Sequence, residues 1–198
     1  LQTGNPALKQ GIQHRFSINY PGNVNVDNGR NFTVGMNATL SPDQITQRSY
    51  YYDEATYLEK WDYTAPAGST LYTYENISVA FSLSAYTDFS QRIAALRSTF
   101  RASLRYQFNQ RPTYIEDAKN ISRQHQPMLA LTFSGAQTDY LRLGLHSTTS
   151  YSEVQNSIGT DNRYLYQTAS VMAEVRFLKV GMLMANYNLA HCHYLTDT

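Results

Sequence analysis

Apolar and polar residues alternate one by one along most of this chain, in runs separated by turn-forming residues. The clearest run spans residues 100–108, where aromatic or aliphatic residues at even positions oppose arginine, serine and glutamine at odd positions. A period of two indicates a β-strand with one apolar and one polar face. Seven further runs share this period, at residues 12–20, 32–40, 77–85, 129–133, 141–145, 165–175 and 180–188. The sequence therefore predicts an all-β chain, an antiparallel meander of about eight long strands.

Short and long connections alternate between the predicted strands. The short ones cover residues 21–30, 87–94, 134–139 and 177–179, and the long ones cover residues 41–70, 109–126 and 152–162. Short turns at one end and long loops at the other are typical of an outer-membrane barrel. Residues 89–100 also fit a short helix, although the strand pattern overlaps them.

The amino-acid composition is unusual in its high number of tyrosines. The chain has 17 tyrosines among 198 residues, a formal net charge of +1 and a single cysteine. The charge balance gives no sign of a nucleic-acid-binding surface, and one cysteine excludes an internal disulfide. Mean hydropathy is −0.47, which an alternating membrane strand tolerates because only every second residue is apolar.

Aromatic residues near the predicted strand ends favour membrane interfaces, where tyrosine girdles lie. These residues are Tyr20, Tyr86, Phe89, Phe108, Tyr140, Tyr151, Tyr164 and Tyr187. Alternation alone does not say what the apolar face contacts. It would face lipid in a membrane barrel with a water-filled lumen, and it would face a dry core in a soluble sandwich.

The stretch Gly4 to Lys9, "GNPALK", resembles the Gly-Asn-Pro-x-Leu-Lys signature of TonB-dependent outer-membrane transporters. The segments "NFTVGMNATLSPDQI" and "LALTFSGAQTDYLRLGLHSTTSYS" are similar to the C-terminal barrel half of Bacteroidetes-type members. Family members often have proline after the lysine, where this chain has Gln10, and usually end in an aromatic residue, where this chain has Thr198. Asparagine before proline and a preceding glycine also fit a turn that aims the next strand.

The resemblance implies a segment, residues 1–198, of a barrel of about 22 strands that takes up nutrients across the outer membrane of a Gram-negative cell. It implies outer-membrane lipid, a plug domain, a TonB-type energy-coupling protein and a surface lipoprotein as partners. No plug pattern is visible in the sequence, and the chain begins without Met or a signal peptide, so we expect an excised internal piece.

Two other architectures fit the same pattern. Eight strands suffice for a small complete barrel, either in a membrane or as a soluble ligand binder. A soluble β-sandwich would suit a carbohydrate-binding or adhesion module.

Two groups of side chains are candidate binding residues. Arginines on predicted polar strand faces would make a lumen basic toward a plug or an anionic solute, or would simply pair with acids and water; they are Arg15, Arg97, Arg101, Arg105 and Arg142. The spacing of the middle three places them on one face of one strand. Aromatic residues of the longest connection would stack on a sugar or continue two long strands; they are Tyr50, Tyr51, Tyr52, Tyr57, Trp61 and Tyr63.

Catalytic motifs are missing from the sequence, so we expect no enzyme and no cofactor. The triplet His191, Cys192 and His193 contains metal-binding residue types, but on a strand the cysteine points away from the two histidines. We therefore predict no metal site.

Overall fold

The computed structural model describes residues 4–25, 29–59, 62–115, 118–136, 138–177 and 181–195. Within these residues the chain is built from β-strands joined by turns. Eight strands are long: β1 His14–Asn25, β2 Arg30–Tyr52, β5 Ser69–Ile93, β6 Ser98–Ile115, β7 Ala118–Ala136, β8 Leu141–Asn156, β9 Asn162–Phe177 and β10 Gly181–Tyr194. Two short strands, β3 Thr56–Leu58 and β4 Tyr63–Ala65, lie between β2 and β5.

The eight long strands form one sheet in the order β1-β2-β5-β6-β7-β8-β9-β10, and each is antiparallel to its neighbours. Strands β3 and β4 form a separate two-stranded hairpin. The predicted all-β antiparallel meander of long strands is confirmed. In the described part of the chain, β1 and β10 each pair on one side, so they are the edges of an open sheet.

Several predicted connections are wrong because the strands are longer than their apolar patterns. Strand β2 runs to Tyr52 and β5 begins at Ser69, so the connection is 53–68 rather than 41–70. The predicted loop at residues 109–126 is mostly strand, belonging to β6 and β7, and β8 runs to Asn156. Strand β1 extends to Asn25, which shortens the first turn in the same way. The end of the sheet at which long loops were predicted is therefore made largely of strands.

The helical alternative for residues 89–100 is wrong. Strand β5 continues to Ile93, one 3-10 turn covers Ala94–Leu96, and β6 begins at Ser98. Arg97 adopts a left-handed conformation with φ of 46° and closes this turn with a backbone bond to Ala94. No helix in the described residues has the length and apolar character needed to cross a membrane.

One face of the sheet is mainly apolar across its strands, with Ser147, Thr149 and Gln167 among its polar members. Phe100 lies opposite Phe133, which lies opposite Leu145, then Val171, then Tyr187 on β10. Directly opposed residues of neighbouring strands share a face, so this row crosses five strands without a charged side chain. The face defined by this row takes every second residue, starting from the first, of the ranges 32–40, 81–89, 100–108, 125–133, 143–151, 165–175 and 183–193.

The other face is polar in the adjacent row. Arg101 lies opposite Thr132, followed by His146, Ser170 and Asn188. The two rows differ by one residue in every strand, so the alternation in sequence becomes two continuous faces in three dimensions. We call them the apolar face and the polar face.

The apolar face is uncovered. Phe16, Leu104 and Leu183 expose 56%, 52% and 63% of their surface, whereas few apolar side chains are buried, among them Ala65, Leu71 and Ile77. The accessible surface is 13603 Å², whereas a compact monomer of 22.6 kDa would expose about 9,500 Å². A second layer packed over the apolar face is not seen among the described strands.

The apolar face has the height of a membrane-spanning strand. Its alternation covers nine residues in β6, from Phe100 to Phe108, and a tilted spanning strand needs about 9–11. Beyond this height, at the end opposite the short turns, four strands continue furthest: β2, β5, β6 and β7. We call residues 41–52, 69–80, 109–115 and 118–124 the outer extensions.

The outer extensions form two separate ribbons. Strands β2 and β5 stay paired as far as Tyr52 and Ser69. The pairing of β5 with β6 begins only at Phe81, so residues 69–80 of β5 are paired with β2 alone. Val79 has a φ of 41° at this point, which is strained for a β-branched residue. The register of β2 on β5 has a gap between the pairs Ser41–Ala80 and Asp43–Ser78, where Val79 lies opposite Pro42. Proline has no amide hydrogen to donate.

The predicted aromatic girdle is partly wrong. Tyr86 belongs to the polar face, where its ring occupies the space that a side chain at Gly35 would need. Tyr164 also belongs to the polar face, and Tyr187 lies in the middle of β10. Phe89 and Phe108 lie at opposite ends of the apolar face, as a girdle requires.

The "GNPALK" segment forms a turn, as its residues predict. The Asn5 side chain accepts a hydrogen bond from the Ala7 amide at 3.1 Å and donates to the carbonyl of Tyr74 at 2.8 Å. Asn76 and the backbone of Lys9 exchange two hydrogen bonds of 2.7 and 2.9 Å. The segment is thereby fixed to the outer extension of β5 before the chain enters β1.

Candidate functional site

The polar face contains a recess of about 600 Å³ near the end with the short turns. Its floor is made by small side chains, because Ser103 on β6 lies opposite Ala130 on β7, which lies opposite Thr148 on β8. Asp88 and Ser90 on β5 form one side, together with Asn31 and Thr33 on β2. Larger side chains at these positions would fill the space.

Arg101 and Arg105 both line the recess, and both are exposed. They lie on either side of Ser103, which donates a hydrogen bond to the Asp88 carboxylate. Among the described residues no acid lies within ion-pair distance of Arg101 or Arg105. Two guanidinium groups are therefore directed to water in a cavity that also contains one carboxylate.

Arg97 is not on the strand face shared by Arg101 and Arg105, so that prediction is wrong. The left-handed turn at Arg97 sends its side chain to Asp139, at 3.2 Å, in an ion pair that is largely exposed. Such a pair contributes little to stability. Arg15 also stands apart, exposed on β1, with Gln13 accepting its hydrogen bond at 3.4 Å.

Arg142 binds Glu174, which sequence reasoning missed. The Glu174 carboxylate accepts from Arg142 at 3.4 Å and from Arg176 at 2.7 Å, and only 5% of the glutamate is exposed. Arg142 and Glu174 are direct cross-strand partners 32 residues apart. Only the register of β8 on β9 brings them together, so no local sequence signal could have found the pair.

The tyrosines of the longest connection do not form one platform. Tyr50, Tyr51 and Tyr52 lie in β2, so strand continuation is the correct interpretation for them. Tyr51 exposes 65% of its surface and points away from the face that holds Tyr50 and Tyr52. Trp61 lies outside the described residues.

Tyr57 and Tyr63 belong to the β3–β4 hairpin. The Tyr57 hydroxyl donates to Asp62 at 2.6 Å, and this hydrogen bond raises the pKa of Tyr57 above its ordinary value. This hydrogen bond joins the Tyr57 side chain to the turn between β3 and β4.

Arg48 joins the two outer ribbons. Its guanidinium lies 4.5 Å from the Tyr50 ring centroid and 4.4 Å from that of Tyr114, and it donates to Glu75 at 3.0 Å. Tyr114 belongs to β6, whereas the other three residues belong to β2 and β5. These contacts are worth more than exposed ion pairs because the Arg48 side chain is mostly buried.

Glu153 anchors the tip of the β8–β9 hairpin. It accepts hydrogen bonds from Gln155 at 3.0 Å, from Arg163 at 3.1 Å and from Tyr151 at 3.3 Å. These bonds to the charged form, that from Gln155 first, lower the pKa of Glu153. A lowered folded-state pKa means that this stabilisation is present at neutral pH and is lost as the pH falls through that value.

His191 and His193 stack with ring centroids 6.2 Å apart, and Cys192 between them is exposed. In the described part of the chain, no group of three or more His, Cys, Asp or Glu side chains is placed to bind one metal ion. The two histidines lie at the outer end of the apolar face of β10.

Comparison with known proteins gives no relative: no family model, no curated protein and no solved structure matches the chain.

Proposed function

We propose that this chain is part of the wall of an outer-membrane β-barrel, in a TonB-dependent transporter that takes up nutrients. The observation that supports the proposal is the uncovered and mainly apolar face, which extends over neighbouring strands and is about as high as a bilayer's hydrocarbon. In water such a face is costly to expose. Against lipid tails it has no cost, while the polar face lines a wet passage.

The edge strand β10 supports a larger barrel. Strand β10 has no charged residue between Gly181 and Tyr194, whereas exposed edge strands of soluble proteins are usually protected by charges or proline. In a barrel every strand edge is paired. We infer that further strands pair with β1 and β10, as the family resemblance implies.

The long end of the sheet supports an outward orientation. The outer extensions and the 53–68 connection lie at one end, and the other end has turns of a few residues. Outer-membrane barrels place long segments outside the cell and short turns in the periplasm. In this orientation the "GNPALK" segment, which is hydrogen-bonded to the outer extension of β5, would lie at the outer mouth.

Cysteine labelling in a Gram-negative host tests this orientation. In a Cys192→Ser background, Ala67→Cys in the long connection should react with a membrane-impermeant maleimide on intact cells. Asp139→Cys in a short turn should react only after the cells are opened, and it removes only an exposed ion pair. Reaction of Asp139→Cys on intact cells, or recovery of the protein in the soluble fraction, would contradict the proposal.

A further inference from the structure

We propose that the recess around Arg101 and Arg105 binds a small organic dianion, with one acidic group held by each guanidinium. This rests on the proposed function only in taking the polar face as the water-filled one. The five candidate arginines differ in their partners, and this difference singles out the site. Arg97 and Arg142 are paired with acids, whereas Arg101 and Arg105 face open space in the same recess.

The spacing of the two arginines favours two separate acidic groups. They are four residues apart on one strand, so their Cα atoms are about 13 Å apart. The guanidinium group is planar and binds a carboxylate or a phosphate through two parallel hydrogen bonds. A recess of about 600 Å³ falls in the range of small-ligand sites, about 300–1,000 Å³.

The residues between the arginines favour a ligand with hydroxyl groups. Asp88 lies opposite Ser103, midway between Arg101 and Arg105 along the strand. A carboxylate there accepts hydrogen bonds and repels a further negative charge. A dianion with hydroxyl groups between its acidic ends therefore fits better than one with a bare hydrocarbon chain.

Protection from phenylglyoxal, which modifies guanidinium groups, tests the site on the whole protein in detergent. The probes are tartrate, succinate and pyrophosphate, with sodium chloride at equal ionic strength as the reference. We expect Arg101 and Arg105 to react about tenfold more slowly at a probe concentration of about ten times its dissociation constant. Peptide mass spectrometry follows each arginine separately, and Arg97 and Arg142 serve as internal controls.

The three probes separate the possible sources of the ligand. Stronger protection by tartrate than by succinate supports a hydroxylated dicarboxylate, and protection by pyrophosphate alone supports an organic ligand whose two acidic groups are phosphates. Equal protection of Arg97 and Arg142, or no protection by any probe, would overturn the proposal. The assay needs no cell surface, so it can succeed or fail independently of the labelling experiment.

Two variants show whether the arginines act together. Arg101→Gln should remove most protection at Arg105, because one acidic group of the dianion then has no guanidinium. Ala130→Gln should fill the floor of the recess and abolish protection at both arginines. Unchanged protection in both variants would contradict a shared site. Unaltered reactivity of Arg97 and Arg142 verifies that each variant is folded.

Discussion

Replacing Leu104 with arginine is expected to destabilise the protein in a lipid bilayer by about 2–4 kcal/mol. Leu104 lies near the middle of the apolar face, between Thr87 on β5 and Leu129 on β7, and half of its surface is uncovered. Lipid would cover this half in the wall of a barrel. A charged side chain at that depth loses its hydration, which is the origin of the cost. Urea unfolding from phospholipid vesicles measures the difference.

Gln107→Arg is the matched control for this prediction. Gln107 lies on the same strand and is exposed on the polar face, opposite Ser84 and Gln126. Its replacement should change the unfolding free energy by less than about 0.5 kcal/mol, as surface substitutions do. If the apolar face met water in the native protein, Leu104→Arg would be equally mild. Equal effects of the two substitutions would therefore refute the lipid-facing assignment.

The second large effect is expected at Arg48, which joins the two outer ribbons. Arg48→Met removes the contacts with the Tyr50 and Tyr114 rings and leaves Glu75 without this cation. We expect a cost of about 2–4 kcal/mol, since the pair is mostly buried. The loss should be local, because the outer extension of β5 is not paired with β6. Hydrogen exchange should accelerate at residues 43–52 and 69–78 and stay unchanged at residues 100–108.

Arg123→Met provides the comparison for Arg48. Arg123 lies in the outer extension of β7, is exposed, and donates to Gln110 at 3.2 Å. Its replacement should leave exchange in both segments unaltered, as exposed contacts contribute little. Slow exchange at residues 43–52 in Arg48→Met would show that the ribbons are held together by other contacts.

The sequence predicted the central part of the sheet well because one face there is consistently apolar. In the run at residues 100–108 every even position is apolar, so period and phase are both readable. In the outer extensions this signal disappears. Gln44, Thr46 and Gln47 are all polar, and their strand conformation comes from pairing with β5. The sequence therefore predicted loops in the outer extensions, where the structure has strands.

The candidate site was only partly predictable for the same physical reason. A spacing of four residues correctly places Arg101 and Arg105 on one face, because both lie inside a regular strand. It fails for Arg97, where a left-handed residue interrupts the alternation. The recess itself depends on Ala130 lying opposite Ser103 and Thr148 lying opposite Ala130, which requires the register of three strands. Register is set by turns and by partner strands, neither of which a single run reveals.

A spin-label accessibility scan of residues 100–108 in lipid vesicles tests the central claim most directly. Each residue is replaced in turn by cysteine in the Cys192→Ser background, labelled, and exposed to oxygen, which concentrates in lipid, or to a water-soluble nickel chelate. If the apolar face lies in lipid, spin labels at even positions should be accessible to oxygen, and labels at odd positions should be accessible to the nickel chelate. High nickel access at all nine positions, or the opposite phase, would contradict it.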